Sequence, residues 1–242
     1  MACKEGVDIG LSKRYHRYRN IHKNAYGRTA VGLFHRRKEI SVQTIRRLPQ
    51  YLRIFYNLHG YGRELVSSTY LADETHLLPV VVKKDLQAVG APSKLRAGFK
   101  VAGTIEVIEK FLGWNNLNKA FLVGVGHLGA ALLGFDGFKN HGLEIVSAFD
   151  THPEKVASTV HGVPVYHTAQ LATMIEKQNL KIAVLTLPAA AAQGVTDTLV
   201  SAGIKAIWNF APVNLEVPDG VIVQKEDISS GLAELCAKLK SK

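Results

Sequence analysis

Three glycines and one aspartate carry the most legible chemistry in this chain. Gly124, Gly126 and Gly129 form a G-x-G-x-x-G pattern, preceded by an apolar run over 120–123 and followed by a segment of helical composition. A second apolar run, 143–149, ends at Asp150. Strand, glycines, helix, strand and acid in that order make a βαβ unit that binds a dinucleotide. Gly124 allows the tight turn, Gly126 lets the backbone approach a pyrophosphate, and Gly129 lets helix pack on strand. Val125, His127 and Leu128 fill the loop between them. A helix opening there presents unpaired N–H groups and the positive end of its dipole to the phosphates. Asp150 lies about twenty residues beyond the last glycine, where a carboxylate accepts from the adenosine ribose hydroxyls. Its charge repels a 2′-phosphate, so NAD(H) is expected over NADP(H).

The elements that must hold this loop alternate along the C-terminal half. Strands are predicted at 143–149, 163–166, 182–187, 204–210 and 221–223, and helices at 171–178 and 189–202, with 152–154 able to open another. That alternation implies a doubly wound parallel sheet. Thr186, Leu187 and Pro188 end one strand at the carboxyl edge, where ligands bind in such sheets. The proline also reads as a plain strand terminator. Asn209, in Asn-Phe-Ala-Pro, is either a ligand contact or part of a structural turn. A last helix, 228–239, carries Leu232, Leu235 and Leu239 on one face. It either covers the sheet or exchanges with a partner subunit.

The N-terminal half has a different character. Of a net charge of +10, residues 1–53 carry all of it, with thirteen Lys/Arg against three Asp/Glu. Such asymmetry points to a polyanion, nucleic acid or membrane surface, or to a solvated basic tail. Residues 1–39 show no clear period and are expected to be a flexible basic extension, with a DNA-contacting arm as the other reading. Residues 40–59 read as a helix with Ile45, Leu48, Leu52, Phe55 and Leu58 on one stripe and Arg46, Arg47 and Arg53 off it. Pro49 inside it predicts a kink or a late first turn. Ser67, beside Ser68, can cap a helix over 69–74, and Pro79 can open another over 80–89 that carries Lys83 and Lys84. A loop with Lys94 and Arg96 follows, and Thr104 can cap a connecting helix that ends at Gly113. Three short helices and a basic hairpin describe a winged helix-turn-helix, the helix-turn-helix itself at about 51–90. Placed on such a frame, Arg46, Arg47, Ser67, Ser68, Lys83, Lys84, Lys94 and Arg96 are the expected DNA contacts, although each also reads as an ordinary solvated group or, for Ser67, a helix cap.

The 242 residues are 47% hydrophobic and 21% charged, enough for a sizeable core. Cys3 and Cys236 form no paired motif, which fits a reducing cytosol. No apolar run approaches the ~20 residues of a membrane span. The basic start lacks the long apolar core of a secretory signal. Ten histidines show no metal-binding spacing, so no metal is expected.

The motifs together resemble the bacterial redox-sensing repressor family Rex over about residues 40–240. The matching segments are Arg46-Arg47-Leu48-Pro49-x-Tyr51, Val66-Ser67-Ser68-x-x-Leu71, Val82-Lys83-Lys84-Asp85-Leu86, the glycine loop, Phe149-Asp150-x-x-Pro153-Glu154-Lys155, Gly162-Val-Pro-Val165, Thr186-Leu-Pro-Ala-x-Ala-Ala-Gln193, Ala202-Gly-Ile-Lys205 and Asn209-Phe-Ala-Pro-Val213. The resemblance implies a cytoplasmic homodimer that binds palindromic operator DNA and releases it as NADH rises, with NAD(H) as regulatory ligand and no catalysis. It implies an α/β chain of four parts: the extension 1–39, a winged-helix domain 40–103, an NAD(H)-binding Rossmann domain 104–226, and a helix 227–242 exchanged in the dimer. Arg53 and Asp227 match positions that couple the two domains. The relay departs from the family where His127 replaces Arg or Asn, Phe135 replaces a tyrosine and Ile228 replaces an aromatic. NADH and NAD⁺ are therefore expected to differ less in their effect on DNA than in relatives with the usual relay. Two other functions fit parts of the chain: an NAD-dependent oxidoreductase, and a CoA-ligase-like nucleotide-binding subunit. Neither explains the helix-turn-helix.

Overall fold

The computed structural model describes residues 40–240. The extension 1–39, Cys3 and the last two residues lie outside the described residues. The chain divides into two compact units between Asn115 and Asn116.

The described part of the first unit is built on four helices and a small sheet. Helix α1, Val42–Gly60, starts where Ser41 Oγ accepts from Thr44 N at 3.1 Å, satisfying one of the open N–H groups of the first turn. The helix starts seven residues before Pro49 and continues through it, so the late-start alternative does not hold. The inward stripe is Leu48, Tyr51, Leu52, Phe55 and Leu58, while Ile45, expected on it, is 38% exposed and Thr44 takes the inward place. Strand β1, Leu65–Val66, leads to α2, Ser68–Thr75, and α3, Pro79–Ala88. Strands β2, Ser93–Lys94, and β3, Gly98–Lys100, form the hairpin, and β1 pairs with β3 on its other side. Helix α4, Val101–Leu112, follows β3 directly. Thr104 is not its cap: it lies one turn inside, fully buried, with its hydroxyl unpaired. Ile105 and Ile108 of α4 pack among Leu48, Phe55, Leu71 and Leu86, so the connecting helix belongs to this unit and not to the second, as a boundary at 103/104 would have it.

The second unit is a seven-stranded sheet. Its strands are β4, Asn118–Val123; β5, Leu143–Asp150; β6, Thr159–Val160; β7, Val163–His167; β8, Ile182–Leu185; β9, Ala206–Asn209; and β10, Ile222–Lys225. The order is β10-β9-β8-β4-β5-β7-β6, parallel except for the β6–β7 hairpin. Chain order reverses between β4 and β8, which is the switch point where open α/β sheets bind ligands. Helices α5, His127–Leu133; α6, Gly137–Asn140; α7, Leu171–Gln178; and α8, Ala189–Ser201 flank it. Both faces are covered. Phe121, Val123, Phe149, Leu185 and Ile207 enter one core, and Leu122, Ala148, Val165 and Val184 the other. Strands buried on both faces read as continuous apolar runs, which is why they are visible in the sequence.

One expectation fails locally, one hairpin goes unread in the sequence, and one of two alternatives for the last helix drops out. Residues 153–157 form turns and no helix, because the chain folds back at once: Ala157, at φ 59°, donates its N–H to Val165 O. The β6–β7 hairpin closes through His161 and Gly162 at φ 49° and 81°, a two-residue turn too short to leave a periodic signal. The last helix α9, Ile228–Lys240, leaves Leu232, Leu235 and Leu239 each more than half exposed, so it does not cover its own sheet.

Candidate functional site

The nucleotide-loop residues converge at the carboxyl ends of β4, β5, β8 and β9. Gly124 ends β4 at φ +101°, and a Cβ there would stand 2.6 Å from Thr186 O. A Cβ on Gly129 would meet Gly124 O at 2.0 Å, so α5 sits on the turn only because residue 129 has no side chain. Gly126 differs: a Cβ would meet nothing within 4 Å. The first and third glycines are thus explained by packing, and the second leaves open space over the turn. Thr186 Oγ1 donates to Gly124 O at 2.6 Å and ties β8 to the loop across the switch point. His127 opens α5 and is exposed, Leu128 and Leu187 are half-buried, and Pro188 caps the start of α8. Asn209 is fully buried, and its amide braces a turn: Oδ1 accepts from Ala211 N at 2.9 Å and Nδ2 donates to Val213 O at 3.0 Å. The turn reading of that motif is the one its hydrogen bonds describe.

Asp150 ends β5 beside the loop. Its Oδ2 accepts from Val125 N at 2.8 Å and Lys155 Nζ at 3.4 Å, and its Oδ1 from His152 N at 2.9 Å and His152 Nδ1 at 2.7 Å. Burial disfavours its ionised form, but these donors outweigh burial and hold its pKa at about 2. The carboxylate therefore stays charged through the neutral range and fixes the backbone of the glycine loop. The sequence pattern finds Asp150; it gives no sign that His152 and Lys155 share it.

In the first unit α3 presents Val80, Lys83, Lys84 and Gln87 outward, with Val82, Asp85 and Leu86 buried. Arg46 is exposed on α1, Lys94 lies on β2, and Arg96 turns the hairpin tip at φ 61°. Ser67 caps α2, its Oγ accepting from Tyr70 N at 3.1 Å, and Ser68 is half-buried. Arg47 does something the pattern does not show. Its Nε and Nη2 donate to Asp85 at 2.6 and 2.8 Å, and Thr44 and Tyr51 hydroxyls donate to the same carboxylate at 2.8 Å each. Its charge is committed inside the unit, locking α3 to α1. Gln87 and Arg63 were not singled out by the sequence, and Lys100 only as a cation of the basic loop with Lys94 and Arg96. Gln87 shares the outward face of α3, and Arg63 and Lys100 line a recess of about 540 Å³ with Lys94. Gln87, three residues past Lys84, could have been found from helical spacing; the recess depends on tertiary packing.

The expected relay residues lie on different segments of the two units. Arg53 is exposed on α1. Phe135 is 54% exposed and packs edge-on against Phe138, with ring centroids 4.8 Å apart. Asp227 caps α9, Oδ1 accepting from Ser229 N at 2.9 Å. Among the described residues no cluster of three His, Cys, Asp or Glu could hold a metal, and no helix is long and apolar enough to cross a membrane.

Comparison with known proteins agrees with this geometry. Residues 39–87 match the family model "Putative DNA-binding protein N-terminus", and residues 115–213 match "CoA binding domain". A redox-sensing transcriptional repressor Rex from Treponema denticola is 44% identical over 207 residues, 86% of this chain and 99% of that one. The Rex of Geobacillus kaustophilus is 39% identical over 84% of this chain and 95% of its own. Among solved structures, the Rex-family repressor RSP in complex with beta-NAD+ and operator DNA aligns with TM-score 0.79 at 29% identity, covering 84% of this chain and 94% of that one. RSP with beta-NADH aligns with TM-score 0.76, again over 84% of this chain. With a helix-turn-helix, a glycine loop at a sheet switch point and identity of this extent, the chain belongs to the Rex family of redox-sensing transcriptional repressors.

Proposed function

We infer that the chain is a DNA-binding transcriptional repressor whose operator affinity responds to the NADH/NAD⁺ ratio, NADH favouring release. The observation that carries this is the pairing, in one chain, of an outward cationic helix on a winged helix-turn-helix unit with a glycine loop at a sheet switch point. Each is matched in a relative solved with operator DNA and NAD⁺. NAD(H) is a regulatory ligand in this reading and not a substrate. The CoA-binding family model covers the sheet unit alone and leaves the helix-turn-helix without a purpose, so it does not favour a ligase-like subunit.

The first unit reads the operator and the second holds the nucleotide. Lys83 and Lys84 on α3, with Arg46, Ser67, Ser68, Lys94 and Arg96, face DNA; Arg47 supports them through Asp85. The glycine loop takes the pyrophosphate, Asp150 the adenosine ribose, and residues 186–188 and Asn209 border the crevice. The exposed leucine face of α9 fits exchange in a homodimer, which matches a palindromic operator by symmetry. Arg53, Phe135 and Asp227 transmit the nucleotide state. Such a protein works in the cytoplasm, where its operator is. The test is operator binding titrated with NADH and NAD⁺ separately: NADH should release DNA at lower concentration than NAD⁺. Equal effects of both, or none, would remove the redox reading.

Two further outcomes follow. Lys84→Ala should weaken operator binding and flatten the log-affinity versus log-salt slope by about 0.9, the loss of one phosphate contact. NADH binding should stay as in the parent. An unchanged slope would place Lys84 off the interface. Asp150→Asn keeps an acceptor for Val125 N but loses the charge that repels a 2′-phosphate. Calorimetry should show the NAD over NADP preference reduced by about tenfold, equivalent to ~1.4 kcal/mol.

A further inference from the structure

His152 has no part in the reading above, yet its ring makes the shortest contact on Asp150. A carboxylate offers about four lone-pair sites. All four are used here: Val125 N and Lys155 Nζ on Oδ2, His152 N and His152 Nδ1 on Oδ1. Two of these donors are backbone groups fixed by the fold. The other two belong to side chains of the turn after β5. Lys155 reaches only to 3.4 Å, so little is lost when it leaves. The imidazole sits at 2.7 Å, and its side chain is 61% exposed against 7% for Asp150, so the ring forms the solvent side of the contact. A ribose diol that donates to both oxygens must displace both side-chain donors, and the imidazole is the costly one.

We propose that the His152 imidazole, donating from Nδ1, is an internal competitor of the adenosine ribose for Asp150. This rests on the reading of the crevice as an NAD(H) site. The adenosine half is common to NAD⁺ and NADH, so the competition lowers both affinities by one factor. His152 thus sets the nucleotide concentration at which the site fills and leaves the preference between the two forms untouched. It is a tuning residue on the recognition of the sugar, acting through Asp150.

The test is calorimetric titration of the full chain with NAD⁺ and with NADH, on the parent, His152→Ala and His152→Gln. Removal of a charge-assisted hydrogen bond that competes with the ligand should tighten both affinities by about three- to tenfold in His152→Ala. The ratio of the two affinities should not change. His152→Gln restores an N–H donor and should bring both affinities back toward the parent. Unchanged or weaker binding by His152→Ala overturns the proposal, as does a shift in the NADH/NAD⁺ ratio. A parent that binds neither nucleotide overturns the NAD(H) reading itself, and the proposal with it.

Discussion

Gly126→Val is expected to give a folded protein that binds operator DNA and has lost NAD(H). The three glycines of the loop are not equivalent, and the difference makes this substitution informative. A methyl on Gly129 would lie 2.0 Å from Gly124 O, and one on Gly124 would lie 2.6 Å from Thr186 O in a backbone at φ +101°. Either change damages the βαβ unit, so loss of binding there would say nothing about a ligand. Gly126 has φ −80° and ψ −167°, extended backbone that any residue adopts, and a Cβ would touch nothing within 4 Å. The fold should therefore accept valine. The isopropyl group would fill the space over the turn where a pyrophosphate must meet backbone N–H groups. Losing that approach should weaken both NADH and NAD⁺ by at least about 100-fold, roughly 3 kcal/mol. Operator binding should persist and NADH should no longer release it. The measurements are calorimetry for nucleotide, circular dichroism for fold, and operator titration with and without NADH. Normal NADH affinity in the folded variant would refute the site.

What the sequence made legible was what depends on local order. The βαβ unit could be read because strand, turn and helix are contiguous and both sheet faces are buried, so each strand leaves an unbroken apolar run. The capping of α2 by Ser67 and the opening of α3 at Pro79 are likewise decided within a few residues. Errors arose where a distant partner decides. Thr104 looks like a cap because Thr caps helices, but Val101 N already donates to Glu64 O, and the helix starts there. Residues 153–157 look helical until the pull of β7 and the donors gathered by Asp150 are known. The placement of α4 depends on Ile105 and Ile108 meeting α1, far away in the chain. Arg47 has a distant partner of another kind, one that adds a role without testing the expected one. In a basic stretch it reads as one more DNA contact, and only folding brings Asp85, 38 residues away, to its guanidinium.

Asp85→Ala is expected to destabilise the first unit by about 3 kcal/mol, a large share of a typical domain's 5–15 kcal/mol. The carboxylate is buried with a side-chain exposure of 5%, and it is the common acceptor for Arg47, Thr44 and Tyr51. Its removal leaves one guanidinium and two hydroxyls without their acceptor, and that costs more than the net worth of the bonds themselves. Burial opposes ionisation of Asp85, but the bonds from Arg47, Thr44 and Tyr51 outweigh it, and its pKa falls below the ordinary 3.8. A depressed folded-state value means that the ionised carboxylate stabilises above the unfolded pKa, and that this is lost as pH falls through the folded one. The difference between parent and Asp85→Ala should therefore be full at neutral pH and shrink on acidification below about pH 4. Native-state hydrogen exchange of α1 and α3 amides reads this unit without requiring the whole chain to unfold in one step. Operator affinity should fall as well, because Lys83 and Lys84 share the helix that Asp85 anchors, while NADH affinity in the second unit should stay near the parent's. Arg47→Lys keeps the charge but loses the two-pronged bond, so it should lie between parent and Asp85→Ala. If α1 and α3 exchange as slowly in Asp85→Ala as in the parent, the network does not hold the recognition helix, and Arg47 is free to be read as a DNA contact after all.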